Sequence, residues 1–167
     1  RACSKRDGIS VEEILNKWEN TKIEGLNRGT NFHRQVEHYI KTGEILDDSD
    51  KDIVKQFSKI KFFGKLFSEI QISSKKYLLA GTVDLIELLN DKNYNLHDFK
   101  TNKTLQKINK YGNKMLYPVE HLDDTSWQHY ILQLNLYRHI LSEYGYVCNS
   151  MKIFYINPEN RQIEEHI

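Results

Sequence analysis

Ala80-Gly81-Thr82-Val83-Asp84-Leu85-Ile86, with Asp98-Phe99-Lys100-Thr101 beginning fourteen residues after Asp84, decides how this chain folds. Both stretches are rich in β-formers. The intervening Glu87-Leu88-Leu89-Asn90-Asp91-Lys92-Asn93-Tyr94-Asn95-Leu96 reads as the end of one strand, a polar Asn/Asp turn and the start of the next. A hairpin of that length brings Asp84 and Asp98 to one side of a sheet. Side chains repeat every two residues along a strand, so Asp98 and Lys100 share a face and Phe99 takes the other. Two carboxylates and a lysine at neighbouring strand ends suffice to hold one divalent metal and attack a phosphodiester. Asp84 lies among apolar neighbours, where an unpaired buried carboxylate is costly, and this favours a functional role.

Outward from that hairpin, the texture differs on the two sides. Ser10 with Glu13 forms a capping box, and Val11, Ile14, Leu15 and Trp18 then recur on one helical face, predicting a first helix to about Glu19. Gly29-Thr30 opens a second helix with Phe32, Val36, Tyr39 and Ile40 as its apolar stripe, ended by Thr42-Gly43. Ser49 is expected to cap a third, with Ile53, Val54, Phe57 and Ile60 facing inward. After Gly64, Leu66 to Ser73, Tyr77 to Leu89 and Tyr94 to Lys100 form a β-meander. Thr125 to Tyr144 has the longest helical pattern, and Met151 to Ile156 and Gln162 to Ile167 make a closing pair of strands. The order predicts an α/β fold: a mixed central sheet of about five strands flanked by helices, behind an N-terminal helical segment.

At 167 residues the chain is read as one domain, with a helical segment at 10–61 and a sheet-and-helix unit at 66–167. Hydrophobic content of 39% and charged content of 28% are ordinary for a soluble chain, and no run is apolar enough to span a membrane. Cys3 and Cys148 are too few for a disulfide scaffold, a zinc knuckle or an iron–sulfur cluster, which suits a reducing, intracellular compartment. There is no signal peptide. The ends at Arg1 and Ile167 suggest a domain cut from a longer polypeptide. No phosphate-binding Walker loop is present, so no nucleotide cofactor is expected.

Net charge is only +1, but charge is segregated. Glu44, Asp47, Asp48, Asp50 and Asp52 cluster in one run, whereas Lys100 to Lys114 holds five lysines and no acid. Lys103, Lys107, Lys110 and Lys114, interleaved with Tyr111 and Tyr117, have the composition of a segment that holds a phosphate backbone and stacks bases.

Taken together, these motifs resemble the PD-(D/E)xK nucleases, in particular their RecB-like branch. Gly81 to Asp84, Asp98 to Thr101, and Gln133-Leu134-Asn135-Leu136-Tyr137 match that branch's three motifs in order, and His33 with Glu37 looks like its additional helical histidine motif. The match covers about residues 29 to 157. The resemblance implies a restriction-endonuclease-like core in which Asp84, Asp98 and the backbone carbonyl of Phe99 bind Mg²⁺ or Mn²⁺, with His33 as a further ligand. It implies that Lys100 orients the attacking water or offsets developing charge, and that Gln133 and Tyr137, one turn apart, hold substrate phosphate or brace the site. Glu69, placed at the end of the first strand, is a candidate outer acid alongside Glu37; His97 and His129 are read as structural.

The lack of a cysteine set is similar to the cluster-free members, such as the mitochondrial genome maintenance and phage-type exonucleases. The expected activity is therefore metal-dependent hydrolysis of DNA from single-stranded ends. Two alternatives stay open: an RNA endonuclease of the viral cap-snatching kind, and a non-catalytic nucleic-acid-binding relic.

Overall fold

Five strands and three helices make up the computed structural model, which describes residues 8–166. Arg1, Cys3 and Ile167, on which expectations about chain ends and redox compartment rested, lie outside the described residues. In chain order the elements are α1 (Val11–Thr42), α2 (Lys51–Phe57), β1 (Lys65–Ser74), β2 (Leu79–Leu88), β3 (Asn93–Lys100), α3 (Ser126–Glu143), β4 (Val147–Ile156) and β5 (Ile163–His166). The strands lie side by side in sequence order. All neighbours are antiparallel except β3 and β4, which run parallel because α3 carries the chain back between them. The α/β fold with a mixed sheet and an N-terminal helix is thus observed.

Each face of the sheet has its own core. On one, Val83, Tyr94, Leu96 and Ile153 pack against Leu134, Ile140 and Leu141 of α3. On the other, Leu85, Phe99, Phe154 and Ile156 meet Phe32 and Val36 of α1 and Ile53 and Phe57 of α2. Phe99 is the pivot of the second core, with ring centroids 5.3 Å from Phe32, 5.9 Å from Phe57 and 5.7 Å from Phe154. Such aromatic contacts add to plain area burial and fix ring orientation. They seat the middle of α1 over the end of β3.

Three local expectations need correction. The two helices expected before residue 43 are one 32-residue helix. Its ends are the ones the sequence marks: the Ser10–Glu13 capping box and Gly43 in the left-handed conformation at φ 75°. The interior Gly25 and Gly29 cost only about 1 kcal/mol each relative to alanine, too little to break a helix tethered by packing. Gly29 also serves close approach, since a Cβ there would stand 3.3 Å from Thr101 Oγ1. Second, of Val11, Ile14, Leu15 and Trp18, expected on one helical face, only Ile14 is buried, because the α1 residues that enter the sheet's core, Phe32 and Val36, lie in its C-terminal half. Third, Ser49 does not cap α2. Asp50 occupies the N-cap without a side-chain bond, and Ser49 Oγ instead accepts from Gln35 Nε2 and Asn31 Nδ2, both at 2.8 Å; Ile60 lies past the helix end at Phe57.

His97, on β3, is buried between the rings of Phe62 and Phe154, with Nε2 3.4 Å from Glu87 Oε2. Glu87 in turn accepts from the backbone N–H groups of Phe63 and Gly64 and from Asn95 Nδ2. Burial pushes the imidazole down to about 4, so it is neutral in the fold. Between pH ~6.5 and ~4 the unfolded chain binds a proton that the folded chain refuses, and stability falls as pH falls. Relative to a His97→Leu variant, folding free energy measured by urea denaturation should therefore decline by up to about 3 kcal/mol across that window. A parent-to-variant difference that does not change with pH would place the proton elsewhere.

Candidate metal centre and its lysine

The ladder between β2 and β3 begins at Leu85↔His97 and runs only toward the turn, so Asp84 and Asp98 are the first residues beyond it. There the strands part. Asp84 Oδ2 takes over as the acceptor for the Phe99 N–H, at 2.7 Å. On the other side of β2, the register with β1 sets Glu69 across from Asp84, though the two are not ladder partners: pairing holds at Ser68↔Leu85 and Ile70↔Val83. Two carboxylates directly opposite one another disfavour a sheet. Glu69 also has φ 53°, a left-handed backbone that a glutamate rarely adopts and that strained functional positions retain. The expectation that Glu69 ends the first strand is corrected: it stands mid-strand, at this irregularity.

α1 delivers His33 into the same place. Its Nδ1 lies 3.0 Å from Glu69 Oε1 and 3.6 Å from Asp84 Oδ1. One ligand atom each from His33, Glu69 and Asp84 falls within 4.8 Å of the others, a group able to hold a metal ion. The helix is held in register by Arg28, whose Nε donates to the Thr101 carbonyl at 3.0 Å just past β3. Glu37, one turn along from His33, joins a different pair, with Lys41.

Asp98 lies deeper. Its side chain is 2% exposed against 12% for Asp84 and 33% for Glu69. Lys100 Nζ stands 2.7 Å from Asp98 Oδ2, close enough to pair but poorly aligned, for neither carboxylate oxygen accepts a hydrogen bond. Burial, and next the charge of Asp84, push the Asp98 carboxyl up to about 7. Burial likewise raises Asp84, against the pull of His33. The sequence expectation joined His33 to Asp84 and Asp98. The tight group contains Glu69 instead, because Asp98 shares its strand face with Lys100 and is drawn to that ammonium.

Lys100 is held from three sides. Besides Asp98, Gln133 Oε1 of α3 accepts from it at 3.3 Å, and its Nζ lies 4.6 Å from the centroid of the Tyr130 ring. Gln133 is itself oriented by donating from Nε2 to the Tyr137 hydroxyl at 3.0 Å. The Tyr137 ring fills the space in which a side chain on Gly81 would sit; a Cβ there would lie 2.7 Å from Cε1. Gly81, Tyr137, Gln133 and Lys100 thus form one chain of contacts across three elements, β2, α3 and β3. Tyr130 is a site residue that the sequence motifs did not single out, although its position three residues before Gln133 and seven before Tyr137 puts it on the same helical face.

The lysines that follow are unequally free. Lys114 is paired with Asp123, while Lys107 packs its ammonium over Trp127 at 4.5 Å and beside His166 Nδ1 at 3.2 Å. No carboxylate pairs with Lys103 or Lys110 among the described residues. Tyr111 is exposed. His129 bonds Asp124 at 2.8 Å, away from the lysine. No helix among the described residues is long and apolar enough to cross a membrane. Neither the protein-family models nor the curated proteins include a match to this chain.

A metal-free site of this kind should be under electrostatic strain at alkaline pH. With Asp98 raised to about 7, the fold binds a proton between pH ~3.8 and ~7 that the unfolded chain releases, so stability is lost as pH rises through that window. In EDTA, Asp98→Asn should melt at a higher temperature than the parent at pH 8, with little difference at pH 5. Mn²⁺ at pH 8 should raise the parent's melting temperature, an effect that Asp84→Asn removes. A parent indifferent to Mn²⁺ would rule the cluster out as a metal site.

Proposed function

We propose that the chain is a divalent-metal-dependent deoxyribonuclease that hydrolyses phosphodiester bonds, acting as an exonuclease on DNA with single-stranded ends. The observation that carries this reading is the convergence of His33, Glu69 and Asp84 next to a buried Asp98–Lys100 pair. A core salt bridge needs no such neighbours, and three carboxylates this close are unfavourable unless a cation offsets them. The donor set fits one hard cation: two carboxylates and one imidazole, partly open to solvent, which suits Mg²⁺ and suits Mn²⁺ better. His33, Glu69 and Asp84 would hold it, with Asp98 supporting from behind. When bound, such a cation neutralises phosphate charge and acidifies the attacking water.

The remaining work belongs to the chain. Lys100 presents a positive charge whose direction is fixed by Asp98, Gln133 and the Tyr130 face, so it can offset charge developing on phosphate without reorganising. Gln133 and Tyr137 lock that orientation. Asp84, by accepting from the Phe99 N–H, ties β2 to β3 just past the end of their ladder and so fixes its own carboxylate beside Lys100 and Asp98. The preference for DNA and for strand ends rests on the resemblance set out above, together with the lysine- and tyrosine-bearing segment that leaves β3.

End-labelled single-stranded DNA, duplex DNA and RNA incubated with Mn²⁺ should distinguish the readings. DNA with single-stranded ends is expected to shorten progressively from the end. Lys100→Met and Asp98→Ala should each slow it by roughly 10²-fold or more, about the cost of one preorganised electrostatic group. Cleavage of RNA alone would instead favour the endonuclease alternative, and binding without cleavage the relic.

A further inference from the structure

Between β3 and α3 the chain spends residues 101–125 on a segment with no helix or strand, yet its backbone is firmly tied. Met115 N donates to the Leu122 carbonyl at 3.0 Å, Asp124 N to that of Asn113 at 3.0 Å, and Lys114 faces Asp123 in an isolated antiparallel bridge. Met115 alone of its large apolar residues is buried. At the root, Gln106 N donates to Ser126 Oγ at 3.0 Å and the Trp127 N–H to the Gln106 carbonyl at 3.1 Å. The Tyr155 hydroxyl also donates to the Lys103 carbonyl at 3.1 Å.

From this braced scaffold four large side chains stand out into solvent: Ile108, Tyr111, Leu116 and Tyr117 are 74%, 84%, 86% and 87% exposed. Placing them on a fixed backbone leaves apolar area in water that a few substitutions would remove, and such patches mark binding surfaces. Their surroundings name the partner's chemistry. From Lys100 to Val119 there are five lysines and no carboxylate, and Lys103 and Lys110 have no ion-pair partner among the described residues. Alternating cations and exposed rings suit a polyanion with flat apolar faces, which is a nucleic-acid strand with its bases unstacked.

The position names the part of the strand. The segment starts one residue after Lys100 and ends at Thr125, the N-cap of α3, five residues before Tyr130, whose ring lies beside the Lys100 ammonium. The geometry points to the 101–125 segment as a base-stacking wedge, in which Tyr111 and the Leu116–Tyr117 pair take the unstacked bases of a DNA strand end while Lys103 and Lys110 hold its backbone. This assignment deepens the nuclease reading and rests on it for the choice of DNA.

The test reads binding, never cleavage. In EDTA, the parent and a Leu116→Ala/Tyr117→Ala variant are titrated against a duplex carrying a single-stranded overhang with 2-aminopurine at its end. The parent should change the 2-aminopurine fluorescence on binding. The variant should lose that change and bind about 10-fold more weakly, the loss of roughly one stacked base, with an unaltered salt slope. Lys103→Ala/Lys110→Ala should do the reverse, keeping the fluorescence change while flattening the slope by about 0.7 per lysine. Should the double variant fail to fold, Tyr111→Ala provides the same comparison.

Equal affinity and signal in parent and wedge variants would overturn the inference, as would a parent that binds no oligonucleotide. Stacking on RNA with none on DNA would overturn the DNA assignment. A chain that stacks bases yet cuts nothing would sink the nuclease reading alone.

Discussion

Three carboxylates and a lysine share the place where β2 and β3 part, and the rest of the structure is arranged around that crowding. Left to themselves, Glu69, Asp84 and Asp98 repel. They are kept together because each is on a different strand of a sheet whose two cores fix the strand positions, and because Lys100, His33 and the Phe99 N–H supply the opposing partners. The energetic consequence is visible in Asp98, whose carboxyl is driven far above the ordinary range by burial and by Asp84. A protein selected for stability alone would replace such a group with an apolar residue, since a buried ion pair rarely stabilises more than a well-packed hydrophobic substitute.

The helices act as clamps with separate tasks. α1 crosses the sheet so that Phe32 locks onto Phe99 while the next residue, His33, reaches Glu69 and Asp84. Gly29 permits the close approach and Arg28 tethers it. α3 works from the opposite face, steering Lys100 through Gln133 and Tyr130. Because the two clamps are anchored in different cores, the His33–Glu69–Asp84 group and the lysine are approached from opposite faces of the sheet.

Much of this was legible in the sequence, and the reasons are local. The β2–β3 hairpin follows from β-formers flanking an Asn/Asp turn, the ends of α1 from a capping box and a left-handed glycine, and α3 from apolar spacing capped by Thr125. The face shared by Asp98 and Lys100 follows from strand alternation. What was misread depends on contacts far apart in the chain. Gly29 looked like the start of a new helix because intrinsic propensity says nothing of the aromatic core that holds α1 just beyond it, and Ser49 looked like a cap until Gln35 and Asn31 claimed its hydroxyl.

The sequence by itself determined the element order from Gly64 onward and the mixed sheet, and it marked the acids, histidine and lysine as candidates, because periodicity, turn residues and caps act over a few residues. Only the tertiary structure decided which of those side chains meet. Glu69 opposes Asp84 through the β1–β2 register, Asp98 turns from the histidine toward Lys100, and Tyr130 comes to lie under the ammonium. Register, strand splay and helix seating are set by packing between residues tens of positions apart, and no local pattern records them.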